Sequence, residues 1–453
     1  MGKLFGTDGV RGIANSELTC EMALDIGRAA AFALTEFTHK KPTILIGKDT
    51  RVSSDMLESA LAAGLCSVGA DAVLLGVIPT PAVAYLVKKY RADAGFMISA
   101  SHNPVEFNGI KIFNSEGYKL ADEIEDEVES FIFERKGEIE LKTHGEVGSI
   151  TKHETAIDDY VGYMASCVDG DLSGIKVAVD CANGASYESA KKLFEKMGAE
   201  CVFAGDTPDG RNINDGVGST HLDNVREVLK QSGAHIGIAF DGDADRCLAI
   251  DETGGEIDGD KIIAILAKDM KNRGRLAKDT VVITVMTNLG FMDFCKKNGI
   301  NAVRTAVGDR YVLEEMLRDG YNLGGEQSGH VILADSSTTG DGQLTAITLL
   351  SILKSSGKKA SELANEIERY PQVLVNVTAT KEGKAKFKDD EELQGHIEAA
   401  QQELFDTGRV LVRVSGTEPL IRIMIEGRDK ARIESIAQSL AQRISDRITQ
   451  KNT

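Results

Sequence analysis

The chain has 453 residues, of which 42% are hydrophobic and 27% charged, and its formal net charge is -18. The composition is typical of a soluble globular protein, and the length predicts about two to four domains, because one hydrophobic core does not serve so long a chain. The acidic excess argues against nucleic acid or an acidic membrane as a partner, since both require a basic surface. No stretch resembles a signal peptide or a membrane span, and seven cysteines without a close pair indicate free thiols, so a cytoplasmic location is expected.

The first regular elements are a strand, "PTILIGKDT", a helical stretch around "SDMLESALAAGLCSVGA", and a second strand, "DAVLLGV". The same order returns at "IKVAVDCANGASYESAKKLFEKMGAECVFAG" and again at "DTVVITVMTNLGFMDFCKKNGINAVRTAVG". Each helix closes on a glycine, Gly69, Gly198 or Gly299, which is common at helix C-termini. Many α/β proteins share this order, but its recurrence favours three related α/β domains.

The C-terminal stretch has a different pattern. The strand-like segment "QVLVNVTATK" is followed by a polar helix, and the strand-like segments "GRVLVRVSGTEP" and "LIRIMIEG" then precede the amphipathic "KARIESIAQSLAQRISDRI". Strands joined by such short turns favour an antiparallel sheet carrying helices. Polar and glycine-containing joints then predict four domains, with residues 1–152, 153–253, 254–368 and 369–453.

Three carboxylates, Asp241, Asp243 and Asp245, occupy alternate positions between two apolar strands. Carboxylates this close repel one another, and a bound divalent cation offsets that repulsion. Oxygen-only ligands favour Mg²⁺ or another hard cation. The alternatives are a solvated acidic turn and an EF-hand loop ending at Glu252. Arg246 stands where an EF-hand needs glycine, and strands rather than helices flank the loop.

The stretch "MISASHNP" places Ser101 in a polar loop after a short apolar run. A serine hydroxyl is a poor nucleophile, but a phosphorylated serine is a phosphoryl donor whose charge a nearby metal neutralises. An ordinary turn serine is the alternative, and the aspartate loop is what favours the donor hypothesis. In "NGIKIF", Lys111 could hold the transferring group or move a proton, or it could be a solvated surface lysine.

Four further loops carry polar or basic groups. Glu326, Ser328 and His330 in "LGGEQSGHVIL" suit sugar hydroxyls, and His330 can exchange a proton near neutral pH. The loops "GTDGVRG" and "VGDRY" contribute Arg11 and Arg310. A backbone and hydroxyl nest in "RVSGTEPLIR" could cradle a phosphate without a metal, and it consists of Arg413, Ser415, Gly416, Thr417 and Arg422. Each loop, taken alone, could also be an ordinary turn.

Together, "SASHNP", "DGDADR", "GEQSGH" and "RVSGTEP" resemble the motifs of the α-D-phosphohexomutase family, in the family's order across the whole chain. The resemblance implies three similar α/β domains with mixed sheets plus a smaller C-terminal α+β domain, arranged around a central cleft. It implies a phosphoserine at Ser101 that shares a Mg²⁺ ion with the three aspartates. It also implies proton transfer or its electrostatic support by Lys111, His330 and Arg11. The implied substrate contacts are Arg246, Arg310, Glu326, Ser328, Arg413, Ser415, Gly416, Thr417 and Arg422.

Within the family, "KLFGTDGVRGIAN", "GEQSGHVI" and "SGTEPLIRIMIEG" are most similar to the bacterial branch that acts on glucosamine phosphates. The resemblance implies conversion of glucosamine-6-phosphate to glucosamine-1-phosphate through a 1,6-bisphosphate, on the route to UDP-N-acetylglucosamine and peptidoglycan precursors. Glucosamine-1,6-bisphosphate or glucose-1,6-bisphosphate would be the activator. The fourth domain, as the metal-free phosphate anchor, should move, and a homodimer is compatible with the sequence.

Three alternatives stay open at this point. They are the phosphomannomutase/phosphoglucomutase branch of the same family, a metal-dependent sugar phosphatase, and a sugar-phosphate-binding protein without turnover. A second phosphate loop argues against the phosphatase, because a hydrolase has no need to present the same sugar twice. A binding protein, in turn, has no need of a phosphorylatable serine beside a metal site.

Overall fold

The computed structural model describes residues 4–6, 8–35, 41–405, 407–415 and 419–449. The chain divides into two compact units, Met1–Met286 with Asn298–Glu366, and Thr287–Lys297 with Ile367–Thr453. In the described ranges the first unit holds three mixed sheets and the second holds one antiparallel sheet. The predicted fold class, three α/β domains and a smaller α+β domain, is confirmed.

The N-terminal part of the first unit is a six-stranded sheet with helices against it. Its elements are β1 (Val10–Ile13), α1 (Cys20–Thr35), β2 (Thr43–Lys48), α2 (Val52–Ser67), β3 (Asp71–Val77), α3 (Thr80–Tyr90), β4 (Ala94–Ile98), β5 (Phe107–Asn114), α4 (Asp122–Phe133) and β6 (Ile150–Lys152). The strand order is β1-β5-β4-β2-β3-β6, with β2 parallel to β3 and β4, and β5 antiparallel to β4. All five residues of β4 are buried, as expected for a central strand covered on both faces.

The second sheet follows along the chain. Its elements are α5 (Ala156–Ser166), β7 (Lys176–Asp180), α6 (Ser186–Met197), β8 (Glu200–Ala204), α7 (Asp223–Ser232), β9 (Ile236–Phe240), β10 (Cys247–Asp251) and β11 (Glu256–Ile257). The order is β11-β10-β9-β7-β8, and β10 is antiparallel to both β9 and β11. This sheet therefore continues to Ile257, a few residues past the predicted boundary at residue 253. The domain boundaries stay predictions.

The third sheet completes the first unit. The elements are α8 (Gly259–Asn272), β12 (Thr280–Thr284), α9 (Leu289–Asn298), β13 (Asn301–Thr305), α10 (Asp309–Asp319), β14 (Leu323–Gly325), β15 (Val331–Leu333), α11 (Gly342–Ser356) and α12 (Ala360–Ala364). Its order is β13-β12-β14-β15, and β15 is the antiparallel strand. Of these elements, α9 up to Lys297 belongs to the second unit.

The three sheets share one topology. The orders β5-β4-β2-β3, β10-β9-β7-β8 and β15-β14-β12-β13 are equivalent, since each has three parallel strands and one antiparallel neighbour. The helix-ending glycines Gly69, Gly198 and Gly299 all have positive φ, which is the usual conformation of a glycine that ends a helix. In each sheet a predicted site motif lies in the loop that leads into the antiparallel strand. These loops are β4–β5, β9–β10 and β14–β15.

The second unit is built around a three-stranded sheet. Its remaining elements are β16 (Gln372–Thr378), α13 (Lys381–Asp389), α14 (Glu391–Glu403), β17 (Gly408–Val414), β18 (Leu420–Gly427) and α15 (Lys430–Thr449). The order β16-β18-β17 is antiparallel throughout, as predicted. Ile421, Ile423 and Ile425 alternate along β18 and form a buried core with Ile433 and Ile444. None of the helices in the described ranges is long and apolar enough to cross a bilayer.

Candidate active site

Ser101 lies in the loop between β4 and β5 and is 1% exposed. Its φ of +53° is in the left-handed region, which few residues other than glycine adopt. The hydroxyl Oγ donates a hydrogen bond of 2.6 Å to Asp241 Oδ2. Asn214 Nδ2 donates to the carbonyl oxygen of Ser101 at 2.9 Å. The strained backbone thus holds the serine hydroxyl against the aspartate loop of the second sheet.

The main chain of the serine loop is fixed by Arg51, whose side chain is fully buried. Arg51 Nη2 donates to the carbonyl oxygens of Ser101, at 3.1 Å, and Asn103, at 2.8 Å. Its Nε pairs with Asp49 Oδ2 at 2.8 Å, and that oxygen also accepts from Ser99 Oγ at 2.6 Å. A buried ion pair is tolerated only when its hydrogen bonds are satisfied, so this set of contacts makes the loop rigid.

The loop between β9 and β10 brings Asp241, Asp243 and Asp245 together. One carboxylate oxygen of each lies within 4.8 Å of the others, and all three residues are buried. The Oδ1 atoms of Asp243 and Asp245 have no hydrogen-bond partner in the described chain, and a buried oxygen in that state is costly. Ala244, with φ +57°, curls the loop so that the carboxylates converge. The three carboxylates could therefore hold a hard divalent cation.

The strands on both sides of this loop exclude the EF-hand alternative. An EF-hand loop joins two helices, whereas this loop joins β9 to β10. Glu252, the residue needed as its last ligand, instead accepts a hydrogen bond of 3.0 Å from the backbone amide of Ser361.

The carboxylates of the loop differ in their pKa values. Burial, together with the charges of Asp245 and Asp243, raises the pKa of Asp241 well above its usual value. Burial also acts to raise the pKa of Asp245, but Lys111 and His330 outweigh it and hold that pKa well below the usual range.

Lys111, on β5, is surrounded by carboxylates. Its Nζ lies 2.8 Å from Asp243 Oδ2, 3.0 Å from Asp8 Oδ2 and 3.3 Å from Asp245 Oδ2. Burial lowers the pKa of Lys111, but these three charges outweigh burial and raise it well above the usual value. A lysine that stays protonated can hold a phosphoryl group, so the geometry favours electrostatic support over proton transfer.

His330 ends the loop between β14 and β15 and is 3% exposed. Its Nδ1 lies 3.7 Å from Asp245 Oδ2, its Nε2 lies 3.5 Å from Asp309 Oδ2, and the backbone amide of Gly340 donates to Nε2 at 3.1 Å. Burial lowers the pKa of His330, but Asp245 and Asp309 outweigh it and raise that pKa. A histidine in this environment is suited to carry a proton near neutral pH.

A cavity of about 440 Å³ lies beside Asp245 and His330, and the described residues that line it do not include Ser101, Lys111, Asp241 or Asp243. Its lining includes Asp8, Arg11, Arg246, Glu326 and His330, together with Asp245. The Nε atoms of Arg11 and Arg246 are buried without a hydrogen-bond partner among the described residues. Donors in this state suit an anionic ligand, and the volume is within the range of small-molecule sites.

Three residues of this network were missed from the sequence, namely Asp8, Lys119 and Asp309. Lys119 Nζ binds the carboxylates of both Asp8 and Asp309, and Asp8 also pairs with Arg11. Asp8 and Asp309 lie in the stretches "GTDGVRG" and "VGDRY", of which only Arg11 and Arg310 were predicted as site residues. An acidic residue beside each arginine was the available signal, whereas the sequence around Lys119 held none.

Other predicted residues lie outside the cavity lining. Ser328 Oγ is buried without a partner within the described ranges. Arg310, at the start of α10, faces carboxylates instead, with Nε 3.2 Å from Glu314 Oε1 and Nη1 3.4 Å from Glu125 Oε2. Its role as a substrate contact stays a prediction.

In the second unit, Arg413 on β17 is directly opposite Arg422 on β18. The backbone amide of Ser415 donates to Leu420 O at 3.0 Å. Gly416 and Thr417 lie outside the described residues. The predicted phosphate loop, which begins at Ser415, is therefore flanked by Arg413 and Arg422, which lie opposite each other on β17 and β18.

Comparison with known proteins gives the family. The phosphoglucomutase/phosphomannomutase α/β/α domains I, II and III match residues 2–138, 158–255 and 258–370, and the C-terminal domain of the same family matches residues 374–443. The chain belongs to the phosphoglucomutase/phosphomannomutase family. It is therefore an enzyme of the phosphohexose mutase class, as the resemblance of its motifs implied.

Individual members of the phosphoglucomutase/phosphomannomutase family are similar over nearly the whole chain. A phosphoglucosamine mutase from Acetivibrio thermocellus is 53% identical over 448 residues, which cover 99% of this chain and 100% of that protein. A family protein from Burkholderia thailandensis has a similar structure, with TM-score 0.81, 24% identity and coverage of 99% and 98% of the two chains. An Aspergillus fumigatus N-acetylphosphoglucosamine mutase, solved with GlcNAc-6P and magnesium, has TM-score 0.72 and 17% identity, with coverage of 98% and 96%.

Proposed function

We propose that this mutase interconverts glucosamine-6-phosphate and glucosamine-1-phosphate, with Ser101 as its phosphorylated residue. The observation that carries the proposal is the hydrogen bond of 2.6 Å from Ser101 Oγ to Asp241, inside a buried three-carboxylate cluster. The 53% identity to a phosphoglucosamine mutase supports the amino sugar as substrate.

In this proposal Asp241, Asp243 and Asp245, together with phosphorylated Ser101, would hold Mg²⁺, which the unpartnered oxygens of Asp243 and Asp245 fit. When bound, the ion would neutralise part of the negative charge on the transferring phosphoryl group. The protein's own cations beside this cluster are Lys111, whose Nζ lies 2.8 Å from Asp243 Oδ2, and Arg246, whose Nε lies 3.8 Å from Asp245 Oδ1. Magnesium in the Aspergillus fumigatus relative supports this choice of metal.

The reaction consists of two phosphoryl transfers. In the first, the bond between Ser101 Oγ and phosphorus breaks and a bond from phosphorus to O1 of glucosamine-6-phosphate forms; Ser101 Oγ takes up a proton as it leaves, and the O1 hydroxyl loses its proton. His330, whose imidazole lies between two carboxylates, is the group we assign to that proton. The 1,6-bisphosphate then reorients and returns its O6 phosphoryl group to Ser101 Oγ. The bond between O6 and phosphorus breaks, Ser101 Oγ loses its proton and O6 takes one up, which leaves glucosamine-1-phosphate. Free glucosamine-1,6-bisphosphate or glucose-1,6-bisphosphate would phosphorylate Ser101 when it carries no phosphoryl group.

The phosphate that is not reacting needs an anchor without a metal. We assign it to Arg413, Ser415 and Arg422, with Gly416 and Thr417. Like charges directly opposite on neighbouring strands are destabilising, so the pair Arg413 and Arg422 gains from an anion between them. Movement of the C-terminal domain during the cycle follows as a prediction.

We place the reaction in the cytoplasm, on the route to UDP-N-acetylglucosamine and peptidoglycan precursors. All seven cysteines are free thiols, which supports a reducing compartment. The phosphosugar is the expected partner in this role.

The test compares kcat/KM for glucosamine-6-phosphate, glucose-1-phosphate and mannose-1-phosphate, with Mg²⁺ and a trace of the matching bisphosphate. A clear preference for the amino sugar is expected, whereas a preference for glucose or mannose phosphate would assign the enzyme to the other branch. Ser101→Ala should lose turnover and keep its fold, and full activity in that variant would rule out the phosphoserine mechanism. Inorganic phosphate released as fast as product forms would instead favour the phosphatase.

A further inference from the structure

A second and larger cavity, of about 910 Å³, lies at the opposite end of β9 and β10 from the aspartate loop. Residues 233–235, which lead into β9, and residues 252–254, which follow β10, line it. The C-terminal end of α11 and residues 357–360 form another side. The β9–β10 hairpin thus carries the carboxylate cluster at its turn and this cavity at its open ends.

The walls of this cavity combine apolar and basic side chains. Leu229, Ala234 and Leu353 provide an apolar floor and are 4%, 6% and 4% exposed. Glu252 is the one carboxylate among the described lining residues, and Ser361 donates hydrogen bonds to it. The basic lining residues are Arg226, Lys230, Lys354, Lys358 and Lys359. A basic rim on a chain of net charge -18 is a local departure from the rest of the molecule.

Not all of this positive charge is available to a ligand. Arg226 pairs with Asp223, Lys354 with Asp171 and Lys358 with Glu366, and each of these carboxylates lies outside the lining.

Lys230 and Lys359 have no ion-pair partner within the described part of the chain. Both are exposed, and they approach the cavity from α7 and from the residue before α12. Two unpaired ammonium groups beside an apolar floor are suited to a ligand that has a phosphate at one end and an apolar body at the other.

We propose that this cavity binds a small organic phosphate with an aromatic ring, of the class of nucleotides. The phosphate contacts Lys230 and Lys359, and the ring covers Leu229, Ala234 and Leu353. A hexose phosphate fits this cavity less well, because hydroxyl groups surround its ring and the floor offers them no partners. The volume is within the range of cofactor-sized sites.

The cavity is separate from the candidate active site, although the β9–β10 hairpin and α11 extend to both. The backbone amide of Gly342, at the start of α11, donates to Ala244 O in the aspartate loop at 3.0 Å, while Leu353 and Lys354 near the end of α11 line the cavity. Lys230 and Lys359 contact none of the active-site groups described above, so their replacement should leave basal kcat and KM unchanged.

The test measures binding of mant-ADP, a fluorescent aromatic diphosphate, to the full-length enzyme saturated with glucose-1,6-bisphosphate and Mg²⁺. We expect saturable binding that survives the bisphosphate and weakens at least tenfold in Lys230→Glu/Lys359→Glu. The matched control Lys297→Glu/Lys388→Glu makes the same change of net charge at exposed lysines of the second unit and should bind as the wild type does. Turnover of both variants verifies that they are folded.

Four results would overturn the proposal. They are displacement of mant-ADP by glucose-1,6-bisphosphate, unchanged binding in Lys230→Glu/Lys359→Glu, equal weakening in the control pair, and no saturation up to about 1 mM. Pyrophosphate should compete more weakly than ADP, because it lacks the ring. Equal competition would contradict the assignment of the apolar floor.

Discussion

Replacement of Arg51 by methionine tests how the phosphorylatable serine is held in place. Arg51 and Asp49 form an ion pair in which both side chains are 0% exposed. Removal of one partner from a buried pair costs about 3 to 5 kcal/mol, because the other charge stays buried and uncompensated. The carbonyl oxygens of Ser101 and Asn103 also lose their Arg51 donor. These losses overlap, so we expect the part of the chain around the first sheet to be destabilised by about 3 to 5 kcal/mol rather than by their sum.

The assay is hydrogen–deuterium exchange of residues 98–108 together with thermal unfolding followed by circular dichroism. Arg51→Met should speed exchange in the serine loop and lower kcat more than it raises KM, since the loop carries the phosphoryl donor and not the sugar. Arg51→Lys should recover part of the stability, because the charge beside Asp49 returns, while the single ammonium cannot replace the bonds to the loop carbonyls.

The matched control is Arg318→Met, at a side chain that is 66% exposed and pairs with Asp319 at 3.0 Å. An exposed pair of this kind contributes about 0 to 1 kcal/mol. If Arg51→Met unfolds at the same temperature as Arg318→Met and keeps the kcat of the wild type, the buried arginine does not hold the loop and the reasoning is wrong.

Three further predictions concern the metal cluster and a charge at some distance from it. Asp243→Asn should weaken Mg²⁺ binding, measured by titration calorimetry, and lower the rate, and an unchanged metal response would refute the ligand assignment. Thr80→Val removes the 2.6 Å hydrogen bond to Asp243 Oδ2, and a loss of about 10- to 100-fold in Mg²⁺ affinity is expected, with Thr80→Ser retaining most of it. Burial raises the pKa of Glu125 from 4.5 to about 7 despite Arg310, so the folded state prefers the protonated carboxyl and loses stability as the pH rises through this window. The Tm of Glu125→Gln relative to the wild type should therefore increase between about pH 5 and pH 8, and a constant difference would contradict the raised pKa.

The fold and the clustering of the three aspartates could be predicted because both are encoded locally. Strand, helix and glycine recur in the same order three times. The antiparallel pairing of β17 with β18 follows from the short connection between them, whereas α13 and α14 separate β16 from β17. Asp241, Asp243 and Asp245 are so close in sequence that any compact loop brings them together. Ser101 lies in the β4–β5 loop, which is the equivalent of the β9–β10 loop that carries the aspartates. Both loops join the last of the three equivalent parallel strands to the antiparallel strand of their sheet.

What could not be predicted depends on contacts between distant segments. Lys119 binds Asp309 across 190 residues, and no local pattern marks either residue as a partner of the other. Arg51 was overlooked for another reason, because "KDTRVSS" reads as a polar loop and nothing in it shows that the arginine is fully buried. The large basic cavity could not be predicted either, because its walls come from segments that are distant in sequence, namely α7, the β9–β10 hairpin and the end of α11.

A serine loop held by a buried arginine has a consequence for the course of the proposed reaction. If the donor cannot swing, the bisphosphate has to turn end over end between the two transfers while its surroundings keep hold of it. Each turnover then becomes a competition between rotation of the bisphosphate and its escape to solvent. Every escape leaves Ser101 without its phosphoryl group and the enzyme idle until another bisphosphate arrives. The fraction of bisphosphate molecules that complete the rotation would set how much activator the enzyme needs. With a rigid serine loop, this fraction depends on the residues that bind the sugar.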